Sequence, residues 1–154
     1  MPVYTISVYS ENDFQELIEV FESNIPQYFA LEEKAEFITY LNQEIEEYFV
    51  VRTNGRIIGA GGINFDSDHI TARLSWDFMD GREQHKGAGT TLTQYRIKRL
   101  KQQDHIQKLI VRTSQFADTF YQKQGFQEIK RIPDYWAPGF DLVYMEYSDF
   151  KKIT

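Results

Sequence analysis

Asn54-Gly55 divides two strand-like runs, Tyr48–Thr53 and Arg56–Phe65. An Asn-Gly link of two residues is the strongest short-range hairpin signal, because both residues accept the positive φ angles of a turn whose twist matches its strands. Asp66-Ser67-Asp68 marks a second turn and His69–Met79 a third strand, so the middle of the chain is a meander. A meander must bury its apolar face against another layer, and the flanking sequence supplies helices for it. Val3–Tyr9 alternates as a first strand. Ser10 with Asp13 reads as a capping-box start. Phe14, Leu17, Ile18 and Phe21 then recur at helical spacing until Pro26. Leu31, Ala35, Ile38, Leu41 and Ile45 form the stripe of a second helix. Beyond the meander, Gly81–Gly89 is a glycine-containing loop, Thr90–Lys101 a helix and Ile106–Thr113 a strand. Gln115–Gln124 is a short helix closed by Gly125. Phe126–Arg131 and Phe140–Tyr147 are the last strands, with Ile132–Gly139 expected as a loop. The order β-α-α-β-β-β-α-β-α-β-β defines an α/β (α+β) fold with one mixed, mostly antiparallel central sheet and helices on both faces. Its 154 residues are expected to form a single domain, 1–154.

Composition narrows the function. There is no cysteine, which removes disulfides, thiolate zinc sites and cysteine nucleophiles. No apolar run approaches the ~20 residues of a membrane span, and no signal-type segment opens the chain. A cytoplasmic protein is expected, without membrane or nucleic-acid partners, since the net charge is −6. That charge is unevenly spread. Residues 1–50 carry eleven acids and one base, whereas residues 51–154 carry twelve acids and sixteen bases. Two ligands of opposite sign would suit this division, as would two acidic amphipathic helices at the front.

Several functional signatures are absent. The sequence contains no G-x-x-x-x-G-K-[ST], no G-x-S-x-G and no H-E-x-x-H. The three histidines, His69, His85 and His105, are scattered, so no metal site is expected. Gly59-Ala60-Gly61-Gly62 lies inside a strand rather than at a strand-to-helix turn. Close backbone approach suits it better than dinucleotide binding.

Gln84-His85-Lys86-Gly87-Ala88-Gly89-Thr90 is different, because it connects a strand to a helix. Glycines let successive N–H groups converge, and the helix behind adds the positive end of its dipole, a combination that suits pyrophosphate. A glycine-rich turn before a solvated basic helix is the plain alternative. Arg96, Lys98, Arg99 and Lys101 continue the positive charge to where a more distant phosphate could be met.

Gln84-x-x-Gly87-x-Gly89 resembles the Q/R-x-x-G-x-G/A motif of the GNAT superfamily of acetyl-CoA-dependent N-acetyltransferases. Phe120-Tyr121-Gln122-Lys123-Gln124-Gly125-Phe126 is similar to that family's F-Y-x-K-x-G-F segment, and Ala117 agrees with it. The family often has Asn where the last short helix begins; here Ser114-Gln115 stands there. The resemblance spans Val3 to Met145 and implies acetyl-CoA (CoA) as cofactor. It implies that the strand end Phe78-Met79-Asp80 pairs with the pantetheine arm and that Gln84, His85, Lys86, Gly87, Ala88, Gly89 and Thr90 take the pyrophosphate. Ser114, Gln115 and Lys123 join the cofactor side, and Tyr121 becomes the general acid, unless it is only a packed tyrosine beside Phe120.

Acetyl transfer needs a neutral amine, so a proton must be removed. Some relatives use a Glu early on the strand before the phosphate loop; Arg73 stands at that position here. Asp77 shares its strand parity and is the candidate base, with a water relay as the alternative.

Tyr135-Trp136-Ala137-Pro138-Gly139-Phe140-Asp141-Leu142-Val143-Tyr144-Met145 is similar to the closing segment of protein N-terminal and ribosomal-protein acetyltransferases, with Leu142 replacing the usual Ala. Tyr135 and Trp136 offer ring faces to a cationic amine and Asp134 offers a charge, although Trp136 could equally cover the sheet edge. The expected acceptor is a small-molecule or peptide amine, and a homodimer stays open. The competing reading is a non-catalytic acyl-CoA-binding or sensing module on the same fold.

Overall fold

A computed structural model describes residues 3–82, 87–148 and 150. The elements are β1 (Thr5–Val8), α1 (Phe14–Glu22), α2 (Glu33–Thr39), β2 (Glu47–Thr53), β3 (Arg56–Phe65), β4 (Thr71–Met79), α3 (Ala88–Lys101), β5 (Lys108–Thr113), α4 (Asp118–Gln124), β6 (Phe126–Ala137) and β7 (Phe140–Tyr147). The seven strands form one mixed sheet in the order β1-β2-β3-β4-β5-β7-β6, with β4 and β5 parallel. This is the element order expected from the sequence. By its contacts the chain divides into two compact units, Met1–Gly62 with Trp76–Thr93, and Ile63–Ser75 with Gln94–Thr154.

The first unit is organised around aromatic rings. Leu17, Ile18, Val20 and Phe21 of α1 pack with Phe37, Tyr40, Leu41, Tyr48, Val50, Ile57, Ala60 and Phe78. Phe21 stacks on Phe37 at 4.7 Å between centroids and meets Phe78 edge-on at 5.2 Å. The capping box is present: the Ser10 N–H donates to Asp13 Oδ2 at 3.0 Å. Asn54 and Gly55 both hold positive φ, 52° and 75°, as the hairpin turn requires. A Cβ on Gly59 would strike the Met79 sulfur, and one on Gly62 would lie 2.6 Å from the Glu47 carbonyl oxygen. Close approach, rather than ligand binding, accounts for these two glycines.

The second helix departs from its expected stripe. Its buried positions are Glu33, Phe37, Tyr40 and Leu41, while Leu31 is 68% exposed. Two local features rotate the face. The Ala30 N–H donates to Glu33 Oε2 at 2.8 Å, which draws Glu33 inward. A π-helical turn, Tyr40–Glu44, then places Tyr40 and Leu41 together against the core.

In the second unit the expected loop Ile132–Gly139 is corrected: β6 runs on to Ala137. Pro133 is tolerated because β6 is the last strand in the sheet order, where a missing N–H costs no ladder bond. The register with β7 shifts between Ile132 and Ala137, and Asp134 takes φ 55° within that irregular stretch. The Gly139 N–H donates to Asp134 Oδ1 at 2.7 Å and the Asp134 N–H to Asp141 Oδ1 at 3.0 Å, which pins the turn.

Candidate active site

In the first unit the end of β4 is held from several sides. Trp76 adopts φ 51° inside the strand, which a bulky residue rarely does unless its surroundings impose it. The Tyr48 hydroxyl donates to the Trp76 carbonyl at 2.8 Å. Asp77 follows, half-buried. The Phe78 ring enters the core. The Met79 carbonyl accepts from Asn24 Nδ2 at 2.9 Å. The Asp80 N–H donates to the Ile58 carbonyl of β3 at 2.7 Å. Of the three residues expected to pair with pantetheine, Asp80 therefore spends its N–H on β3. Strand alternation turns the Met79 N–H to the opposite side.

Asp80 is a structural anchor. Its residue is 2% exposed, and its carboxylate takes Arg82 Nε at 2.9 Å and Nη2 at 2.8 Å. The Arg82 N–H also donates to it at 2.9 Å. These bonds hold the Asp80 carboxyl down at about 2, well below the usual carboxylate range. Beside it, the Gly81 N–H donates to Ser23 Oγ at 2.8 Å. Ser23 and Asn24, which directly follow α1, thus fasten the end of β4 and the residues after it.

Gln84, His85 and Lys86 lie outside the described residues. Gly87 has φ 84°, and among the described residues a Cβ built on it would meet nothing within 4 Å. Its carbonyl accepts the Thr91 N–H and the Thr91 hydroxyl, each at 2.8 Å, so α3 starts here, at Ala88 rather than Thr90. Gly89 and Thr90 complete its first turn. An open glycine with positive φ before a helix of 14 residues fits a phosphate group. One basic residue of α3 does not: Arg96 is 0% exposed, so it cannot reach out to a bound phosphate. Lys98, Arg99 and Lys101 are exposed, with Lys101 over the Tyr147 ring.

In the second unit, Tyr121 of α4 is 3% exposed and meets the rings of Phe120 at 5.1 Å and Phe126 at 5.6 Å. Gly125, at φ 111°, ends the helix as expected. Gln115 is committed: its Nε2 donates to the Gly139 carbonyl at 2.7 Å, and its Oε1 accepts the Asp141 N–H at 2.9 Å. Ser114 Oγ accepts the Phe116 N–H. Lys123 is exposed. Arg73, at the position where some relatives carry a base, donates to Asp66 Oδ1 at 2.7 Å.

Tyr135 and Trp136 already face a cation of this chain. The Arg112 guanidinium lies 5.4 Å from the Tyr135 ring and 5.5 Å from the Trp136 ring, and donates to the Tyr135 hydroxyl at 2.7 Å. Trp136 Nε1 donates to the Thr113 carbonyl at 3.1 Å. Sequence reasoning missed Arg112, Ser23 and Asn24: nothing marks them locally, because their partners are remote in the chain. Among the described residues no group of His, Asp or Glu could hold a metal, and no helix is long and apolar enough to cross a membrane.

A family profile for the acetyltransferase (GNAT) domain matches residues 7–148, and the chain belongs to that family. It is similar to an N-alpha-acetyltransferase of Sulfurisphaera tokodaii, with 27% identity over 144 residues, covering 79% of this chain and 77% of the relative. Among solved structures it resembles the ribosomal-protein-S18-alanine N-acetyltransferase of Escherichia coli (TM-score 0.75, 18% identity, 94% of this chain and 92% of that one). It also resembles the spermidine N-acetyltransferase of Vibrio cholerae in complex with CoA and spermine (TM-score 0.72, 17% identity, 97% and 98%).

Proposed function

We propose that the chain acts as one N-acetyltransferase domain that moves an acetyl group from acetyl-CoA to an amine. The observation that carries this reading is the start of α3: open Gly87 at φ 84° leading into Ala88, in a chain whose family uses acetyl-CoA. Acetyl-CoA would be held by the N–H groups of Gly87, Ala88, Gly89 and Thr90 and by the Met79 N–H, which faces away from β3. When bound, it supplies an activated acetyl thioester. The loop residues Gln84, His85 and Lys86 belong to the same proposal.

Asp77 receives the proton of the acceptor ammonium, directly or through water. Tyr121 holds a proton on its hydroxyl for the departing thiolate. Exposed Lys98 and Arg99 are left to meet a distant phosphate. Tyr135 and Trp136 with Asp134 stand for the acceptor side, in a modified form: the two rings present Arg112 rather than bare faces, so they order this surface more than they bind an ammonium.

The burial of Tyr121 favours a second reading, a module that binds acyl-CoA without turning it over. An amine and peptide panel with acetyl-CoA, read as free thiol released, decides between them. Thiol release with any amine supports the transferase; acetyl-CoA binding with no release across the panel supports the module.

A further inference from the structure

Within the first unit a cavity of about 380 Å³ opens on α2 and the turn after it, lined by Ala35, Glu36, Thr39, Tyr40, Glu44 and Trp76. That volume is in the range of small-ligand sites. Its floor is aromatic: the Tyr40 and Trp76 rings are 6.2 Å apart, and Trp76 is itself locked to Phe37 at 5.2 Å. Its walls carry two carboxylates, Glu36 and Glu44, four residues before and four after Tyr40, and all three line the cavity. Both glutamates are exposed. Rings flanked by carboxylates attract an alkylammonium through its charge and its methylenes together. Trp76 also directly precedes Asp77 and Phe78, so this cavity adjoins the strand segment to which the acetylation chemistry is assigned.

The geometry points to a subsite for a second positive charge on the acceptor, which makes the acceptor class an aliphatic diamine or polyamine rather than a simple monoamine. The inference rests on the transferase reading for the reaction and on the cavity alone for the binding. One ammonium is seated between Glu36 and Glu44 over the Trp76 and Tyr40 rings, and the other end of the molecule presents its neutral amine. The acidic first fifty residues bring such a cation in, and salt screens that attraction.

The test uses 1,5-diaminopentane against pentylamine. Calorimetric titration into the whole protein without acetyl-CoA should show the diamine binding at least tenfold more tightly than uncharged 1-pentanol, while pentylamine, whose own ammonium fills the same seat, serves as the comparison in turnover. Glu36→Gln and Glu44→Gln should each weaken the diamine about threefold, as expected for exposed ion pairs, and about tenfold together. Neutralising Glu11 and Glu32, which lie outside the cavity, should change its affinity less than twofold. A diamine that binds no better than 1-pentanol, or whose affinity survives in the Glu36→Gln, Glu44→Gln protein, overturns the proposal. Losses of equal size in the control variant overturn it as well, because diffuse charge then explains the attraction. Thiol release from acetyl-CoA separates the two readings. Carboxylate-dependent diamine binding without any release across the amine and peptide panel upholds the subsite and removes the transferase. Release with both amines at equal KM upholds the transferase and removes the subsite.

Discussion

Tyr121 is where packing and chemistry compete for one side chain. It is nearly buried against Phe120 and Phe126, and the Tyr121→Phe change keeps the ring and those contacts. If its hydroxyl supplies the proton, turnover should fall about 10²-fold, at the low end for a positioned acid because a thiolate leaves readily. Acetyl-CoA affinity should stay nearly unchanged. The fall in rate at high pH should disappear with the hydroxyl, while the rise from amine deprotonation survives. Measuring kcat against pH for both proteins checks this, and parental rates in Tyr121→Phe would make it a packing residue. Gly87 tests the cofactor in the same way. With φ 84°, Gly87→Val strains the backbone by ~1–2 kcal/mol, which a domain of ordinary stability survives. Acetyl-CoA at a hundredfold excess over its Kd should stabilise the parent by about 2.7 kcal/mol and the variant by far less. Melting curves with and without acetyl-CoA read both numbers; an equal gain would mean that Gly87 only turns the chain.

At the scale of elements, the residues after α1 are tied to the end of β4. Ser23 and Asn24 follow the helix and grip Gly81 and Met79, while Asp80 secures Arg82. The Asp80 carboxyl is depressed to about 2, below its unfolded value near 3.9, so its contribution is present above pH 4 and is lost as pH falls toward 2. That loss is about 2 kcal/mol. Asp80→Asn should lower stability at pH 7 and flatten the acid limb, as urea unfolding between pH 2 and 7 would show; an unchanged acid limb would remove Asp80 from the account. The elements themselves were largely legible in the sequence. Asn54-Gly55, the α1 stripe and Gly125 each state their structure locally. The face of α2 was not legible, because Glu33 turns inward for a backbone bond and a π turn shifts the phase. The extent of β6 was hidden as well: Pro133 argues against a strand unless one knows that this strand is last in the sheet. The site was legible where a motif sits on its own element, as at Gly87. It was illegible wherever a partner lies far along the chain, as with Asn24, Arg112 and the burial of Arg96.

At the scale of the whole molecule, the division of charge becomes concrete. The acidic first fifty residues include the carboxylates of the α2 cavity, while the exposed bases Lys98 and Arg99 lie on α3. Arg112 shows how one cation can be taken out of that count by the chain's own rings. The two tryptophans are divided as well: Trp76 lies in the first unit and Trp136 in the second. Trp76 lines the α2 cavity, and Trp136 lies beside the Arg112 guanidinium with its indole N–H bonded to the Thr113 carbonyl. The protein therefore carries two built-in fluorophores, one in each unit. In a Trp136→Phe protein, emission comes from Trp76 alone, and adding 1,5-diaminopentane should change its intensity in step with calorimetric binding. In the reciprocal Trp76→Phe protein the remaining emission should ignore the diamine and change as guanidinium chloride unfolds the second unit, so light alone can tell occupancy of the cavity from loss of structure elsewhere.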